Sequence, residues 1–207
     1  MRILILAPHT DDGEFGCGGS ISKFLRMGHD VNYVAFSSSE NSVPPEYPSN
    51  ILKMEVKEAT NILGIPENNL KVLDFITRDF PLHRQKILEA MVKLQVELNP
   101  DIIMLPSTTD THQDHQVVAL EGFRAFKKTT ILGYEAPANN LTFTTNAFIQ
   151  LEEQDIEIKI KSLSRYKSQA HRSVSNPEFI RSLAKVRGVQ IGVQYAEAFE
   201  AIRWIMR

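Results

Sequence analysis

This chain of 207 residues has one thiol, Cys17. No disulfide can form within it, and the composition suits a reducing compartment. A charge excess of one sign is also missing. Against 25 acidic side chains stand 23 basic ones, a net charge of −2, so no field recruits nucleic acid or an anionic membrane. Long apolar runs are absent too. The longest pieces, such as 3–8 and 102–106, fall far short of the ~20 residues a membrane span needs. The opening Met-Arg-Ile-Leu-Ile-Leu-Ala is too short for the apolar region of a signal peptide and has no small-residue cleavage site behind it, so it reads as a first strand. Neither a repeat nor a low-complexity tract is visible. What is present, 43% hydrophobic and 23% charged residues, is ordinary globular composition with length enough for a sizeable core. The expectation is a cytoplasmic, single-domain protein over 1–207.

Strand and helix patterns alternate along the chain. Buried-strand runs fall at 2–7, 31–36, 70–75, 101–105 and 130–134, with helical spacing at 18–27, 51–63, 81–98 and 114–126 between them. Such alternation predicts parallel βαβ units: an α/β, Rossmann-like, three-layer fold with a mostly parallel sheet and helices on both faces. The stretch 37–50, with three prolines, reads as a long functional loop. The last third is less regular. Helices are expected at 153–166 and 178–186, and AEAFEAIRWIM suits either a strand or a helix. The core is expected over about 1–140, with about 141–207 packed over the sheet as a cap.

Ligands of open α/β sheets bind outside the carboxyl ends of the strands, and two loops in such places hold the suspicious residues. One is Pro8-His9-Thr10-Asp11-Asp12-Gly13-Glu14 and the other Asp110-Thr111-His112-Gln113-Asp114-His115. Neither contains a Lys or Arg to neutralise its carboxylates. Two imidazoles and a carboxylate with an open fourth position make a hydrolytic zinc site. His9 and Asp12 can converge on one ion, with His115 completing the set. One Zn²⁺ per chain is expected, although another divalent transition metal would suit the same donors. Asp11, beside the ligands but outside the set, is placed to act as general base. His112 can donate to a developing oxyanion or to the leaving amine, and Asp114 can orient an imidazole from behind. The bland alternative makes HTDD a turn with an Asp helix cap and HQDH a solvated helix start capped by Asp114. Two such loops at two strand ends favour the metal. His29, His83 and His171 read as solvated surface, and Cys17 and Trp204 as packing residues.

APHTDDGEFGCGGSISK and THQDH resemble the two signature loops of the PIG-L/LmbE-like de-N-acetylases. Weaker echoes in EATNILGI, KIKSLSRYKSQ and GVQYAEAF extend the likeness over nearly the whole chain. The resemblance implies a zinc-dependent Rossmann-like enzyme that removes acetyl groups from N-acetylglucosamine-type conjugates. It also implies His9, Asp12 and His115 as ligands, Asp11 as base and His112 as oxyanion or acid partner. Arg78 and Asp79 fall where the family often contacts substrate. The chain departs from the usual pattern in having Thr10 for proline and in displacing the acid to Glu14. The expected partner is a small amino-sugar conjugate, with homo-oligomerisation left open. A zinc amidase acting on another amide, such as a thiol conjugate, uses the same machinery. A nucleotide-binding Rossmann domain is a weaker rival: Gly13, Gly16, Gly18 and Gly19 do not form G-x-G-x-x-G, and Asp11 and Asp12 would repel a pyrophosphate.

Overall fold

The computed structural model describes residues 1–170 and 173–206; His171 therefore lies outside the described residues. Seven strands form one sheet: β1 (Arg2–Ala7), β2 (Asp30–Ala35), β3 (Leu70–Val72), β4 (Ile102–Pro106), β5 (Thr130–Tyr134), β6 (Ala147–Leu151) and β7 (Tyr195–Arg203). They are ordered β3-β2-β1-β4-β5-β7-β6. The first five are parallel, while β7 runs antiparallel to both of its neighbours. Parallel neighbours need a crossover, usually helical. Here α1 (Asp12–Arg26), α2 (Ile51–Leu63), α3 (Arg84–Leu98) and α4 (Gln113–Ala125) lie between successive strands, and α5 (Glu153–Leu163) and α6 (Pro177–Val189) follow.

The apolar strand runs have a physical reason. Side chains alternate across a strand, and helices cover both faces of this sheet, so both sets must be apolar. Ile3, Ile5 and Ala7 of β1 pack with Ile21 of α1, Val56 of α2 and Leu163 of α5. Leu4 and Leu6 pack with Met91 of α3 and Val118 of α4. The fold is the expected mostly parallel α/β sheet in three layers. No helix among the described residues is long and apolar enough to cross a membrane.

Four boundaries differ from expectation. α1 starts at Asp12 rather than Gly18, because its early glycines let the backbone lie against aromatic rings. A Cβ on Gly13 would sit 2.5 Å from Cε2 of Tyr33, and one on Gly16 would meet the ring of Tyr134. Packing thus overrides poor helix propensity, although the helix breaks at Cys17 (φ −147°, ψ 24°). β3 ends at Val72, yet Leu73 and Phe75 N–H still donate to Ala35 and Phe36 carbonyls at 2.8 and 3.1 Å. Pro81 sits in a 3₁₀ turn, Phe80–His83, ahead of α3. The tail expected to lie over the sheet instead supplies two of its strands, β6 and β7, while α5 packs on α1 and α2, and α6 on β7. Cys17 is buried as expected, but Trp204 is 68% exposed and packs little.

Candidate metal centre

The strand order reverses between β1 and β4, where a doubly wound sheet opens its binding crevice. The loop after β1 runs directly into α1, and the loop after β4 into α4, so both helices' first turns point functional groups into that crevice. His9 Nδ1 lies 3.1 Å from Asp12 Oδ2, and His115 Nε2 lies 3.2 Å from the same oxygen. Donor atoms of His9, Asp12 and His115 all fall within 4.8 Å of one another. Tetrahedral zinc with bonds of about 2.0–2.1 Å sets neighbouring donors about 3.3 Å apart. The spacing fits one such ion.

Each imidazole is also held from behind. His9 Nε2 is 2.9 Å from Asp114 Oδ2, and His115 Nδ1 is 2.7 Å from Asp110 Oδ2. A carboxylate on the far nitrogen fixes ring orientation and raises ligand basicity. Both carboxylates are themselves anchored: Asp114 Oδ2 accepts from Arg78 N at 2.7 Å and Asp110 Oδ1 from His112 N at 2.8 Å. Asp114 thus sits where an orienting residue was expected. The sequence pattern alone assigns Asp110 no role, although a signal is there: it stands five positions before His115 in a loop with no cation to pair with.

His9, His112 and Asp114 form a second grouping of potential donors. Its atoms are committed elsewhere. Asp114 is fully buried and takes the Arg78 N–H, while His112 Nδ1 accepts from Asp114 N at 3.1 Å and so caps α4. His9, Asp12 and His115 are the candidate donor set. Neither Asp11 nor Asp114 caps a helix through its side chain: Asp11 stands at the N-cap of α1 without a side-chain cap hydrogen bond, and at α4 that task falls to His112.

The electrostatics follow from crowding. Burial alone would lower the His9 and His115 imidazoles, but the Asp12 carboxylate, with Asp114 beside His9 and Asp110 beside His115, raises them to about 9 and about 10. Burial would raise Asp12, yet His115 and His9 hold it well below the usual carboxylate range. Burial and the two neighbouring imidazoles lower His112. His112 stands at the mouth of the site, its ring 4.8 Å from that of His115 and 5.0 Å from that of His9.

A cavity of about 620 Å³ opens on this cluster, and Asp11, His112 and Arg78 line it with the three donors. Arg78 adopts φ 74°, a left-handed conformation secured by its N–H bond to Asp114. Asp79 is not among the lining residues. Glu14 is fully buried away from the cavity. Its Oε1 accepts from Tyr166 at 2.9 Å, its other oxygen accepts from Tyr33, and burial pushes its carboxyl up to about 8. Each tyrosine has one O–H, shared between Glu14 and the Thr10 carbonyl oxygen, which lies 2.7 Å from the Tyr166 hydroxyl and 2.9 Å from that of Tyr33. They brace the loop between His9 and Asp12. Of the glycines that a nucleotide site would open toward pyrophosphate, Gly13 is closed off by Tyr33, Gly16 by Tyr134, Gly18 by Lys159 and Gly19 by Leu151 and Glu197.

Residues 4–126 match the PIG-L family, described as GlcNAc-PI de-N-acetylase. The chain is 24% identical, over 97% of its length and 83% of the relative's, to a diacetylchitobiose deacetylase of Thermococcus kodakarensis. Among solved structures it resembles an N,N'-diacetylchitobiose deacetylase from Pyrococcus horikoshii, with a TM-score of 0.80 at 23% identity over 96% of this chain and 82% of that one. It also resembles GalB, the 4-carboxy-2-hydroxymuconate hydratase of Pseudomonas putida, with a TM-score of 0.77 at 17% identity over 100% and 98%. At such identities the likeness to the solved structures is one of fold.

Proposed function

The chain belongs to the PIG-L family, and from that premise we propose that it is a zinc-dependent hydrolase removing the N-acetyl group from an N-acetylglucosamine-type sugar or conjugate. One observation carries the reading. His9, Asp12 and His115 converge at the reversal point of the sheet, each imidazole backed by its own carboxylate, on a cavity that Asp11 and His112 also line. A bound zinc ion supplies Lewis acidity toward the acetamide carbonyl and lowers the pKa of its water to about 7. Asp11 takes the proton of the attacking water and returns it to the leaving nitrogen, so acetate and an amine result. His112 has a fixed tautomer. Nδ1 accepts a backbone N–H at the start of α4, so the neutral ring carries its proton on Nε2. It then stabilises the oxyanion as a hydrogen-bond donor, and protonation is not required. Arg78 lies on the cavity wall, suited to a substrate oxygen, whereas Asp79 has no such position.

Acetate release from a panel of N-acetylhexosamine conjugates, measured on the zinc-loaded protein, tests this. Release from at least one glucosamine conjugate, abolished by a chelator, is expected. Release from none of them, or undiminished release in chelator, overturns it. Two other readings share the machinery or the fold: an amidase for a different amide, and a hydratase such as GalB. An N-acylated thiol conjugate and an enol acid added to the panel distinguish them.

A further inference from the structure

One group of buried polar residues has no part in the chemistry proposed above. Tyr166 follows α5, is buried, and is not among the residues that line the cavity. It also lies outside residues 4–126, which match the family. Its hydroxyl nevertheless reaches the loop between His9 and Asp12, 2.7 Å from the Thr10 carbonyl oxygen and 2.9 Å from Glu14 Oε1. Tyr33 of β2 approaches the same carbonyl at 2.9 Å. Thr10 is fully buried, and its Oγ1 has no hydrogen-bond partner among the described residues. The carbonyl is therefore where this residue is gripped.

A peptide unit is planar, so the Thr10 carbonyl and the Asp11 N–Cα bond turn as one body. Turning the carbonyl redirects Asp11, which lines the cavity. The segment carrying Tyr166 is itself anchored, since Ser168 N and Oγ donate to the buried Glu55 of α2 at 3.0 and 2.6 Å. The proposed metal donors have separate anchors. His9 N donates to Asp12 Oδ2 at 2.8 Å, and Asp114 and Asp110 hold the two imidazoles.

We infer that Tyr166 is a positioning residue for Asp11: its hydroxyl fixes the Thr10–Asp11 peptide plane, and with it the direction from which the Asp11 carboxylate meets the attacking water. The inference rests on the function proposed above. Because Tyr166 does not line the cavity, its effect is one of orientation. A misplacement of about 1 Å at a reacting group costs about 10²-fold in rate.

Tyr166→Phe keeps the ring and removes the hydroxyl. On the zinc-loaded chain, well below the melting temperature, kcat for acetate release should fall roughly 10- to 10²-fold, with KM and bound zinc as in the wild type. In an Asp11→Asn background the same substitution should change kcat by less than about twofold, because residues acting through one group are not additive. A second readout needs no turnover. Deuterium uptake by the metal-free chain should be faster over residues 9–14 in Tyr166→Phe and unchanged over α3. Tyr33→Phe serves if Tyr166→Phe melts early. Wild-type turnover in the variant, wild-type exchange over residues 9–14, or an equal fold loss in both backgrounds overturns the proposal. Faster exchange with no acetate release even from the wild-type chain leaves the clamp standing and removes the deacetylase reading; acetate release that Tyr166→Phe leaves intact does the reverse.

Discussion

The proposed function gives the sequence neighbours Asp11 and Asp12 different tasks, and substitution separates them. Asp12 sits between two imidazoles, so Asp12→Ala should lose metal and turnover together. Asp11→Asn keeps the shape and removes the base. Turnover should fall roughly 10²- to 10⁴-fold with metal and melting temperature unchanged. Assays of turnover, bound metal and melting on both variants check this, and loss of metal from Asp11→Asn would make Asp11 a ligand. A pH dependence also follows. Without metal, His9 and His115 stay protonated up to about 9 and about 10, and each proton must leave for an imidazole to bind an ion. Metal affinity should therefore rise with pH between about 6 and 8, approaching two protons released per ion. Chelator competition at several pH values reads the slope, and a flat profile would contradict it. At this scale much was legible in the sequence. His9, Asp11, Asp12, His112, Asp114 and His115 stand out because chemistry-bearing types crowd two short loops. Tyr33 and Tyr166 were not legible, because each braces Thr10 from a distant segment, and one sequence holds no record of such meetings.

Element boundaries show where local pattern gives way to packing. The strand runs read cleanly because covering both sheet faces forces continuous apolar residues. The first turns of α1 did not, since four glycines there signal a loop by propensity while Tyr33 makes Gly13, and Tyr134 makes Gly16, the residue that fits. Gly16→Ala should destabilise the fold by about 1–3 kcal/mol through overpacking, even though alanine is the better helix former. Chemical denaturation of the variant measures it, and a stabilised variant would show that the Tyr134 contact is not limiting. The end of β3 was misread for a related reason. Leu73 and Phe75 keep their hydrogen bonds to the second strand's end, so the chain stays extended without regular pairing.

For the whole molecule, the tail was the least legible part, because AEAFEAIRWIM becomes a strand only through partners on both sides. β7 lies between β5 and β6, and Glu197 on it accepts from the Gly19 and Ser20 N–H groups of α1 at 3.0 and 2.7 Å. We propose that 1–207 is one folding unit on that account. Far-ultraviolet circular dichroism and the near-ultraviolet signal of the buried tyrosines Tyr33, Tyr134 and Tyr166 should report a single coincident unfolding transition, and two separated transitions would divide the core from the tail. The position of β7 also sets an order of events during synthesis. His9, Asp12 and His115 have all been made before β5, so a nascent chain holds all three proposed metal donors while its sheet is still open along the β5 edge. β6 emerges next with no strand to pair with, and must wait until Tyr195–Arg203 has been translated. Metal capture can thus precede completion of the sheet, and the unfinished β5 edge is the surface that a chaperone or a neighbouring nascent chain meets first.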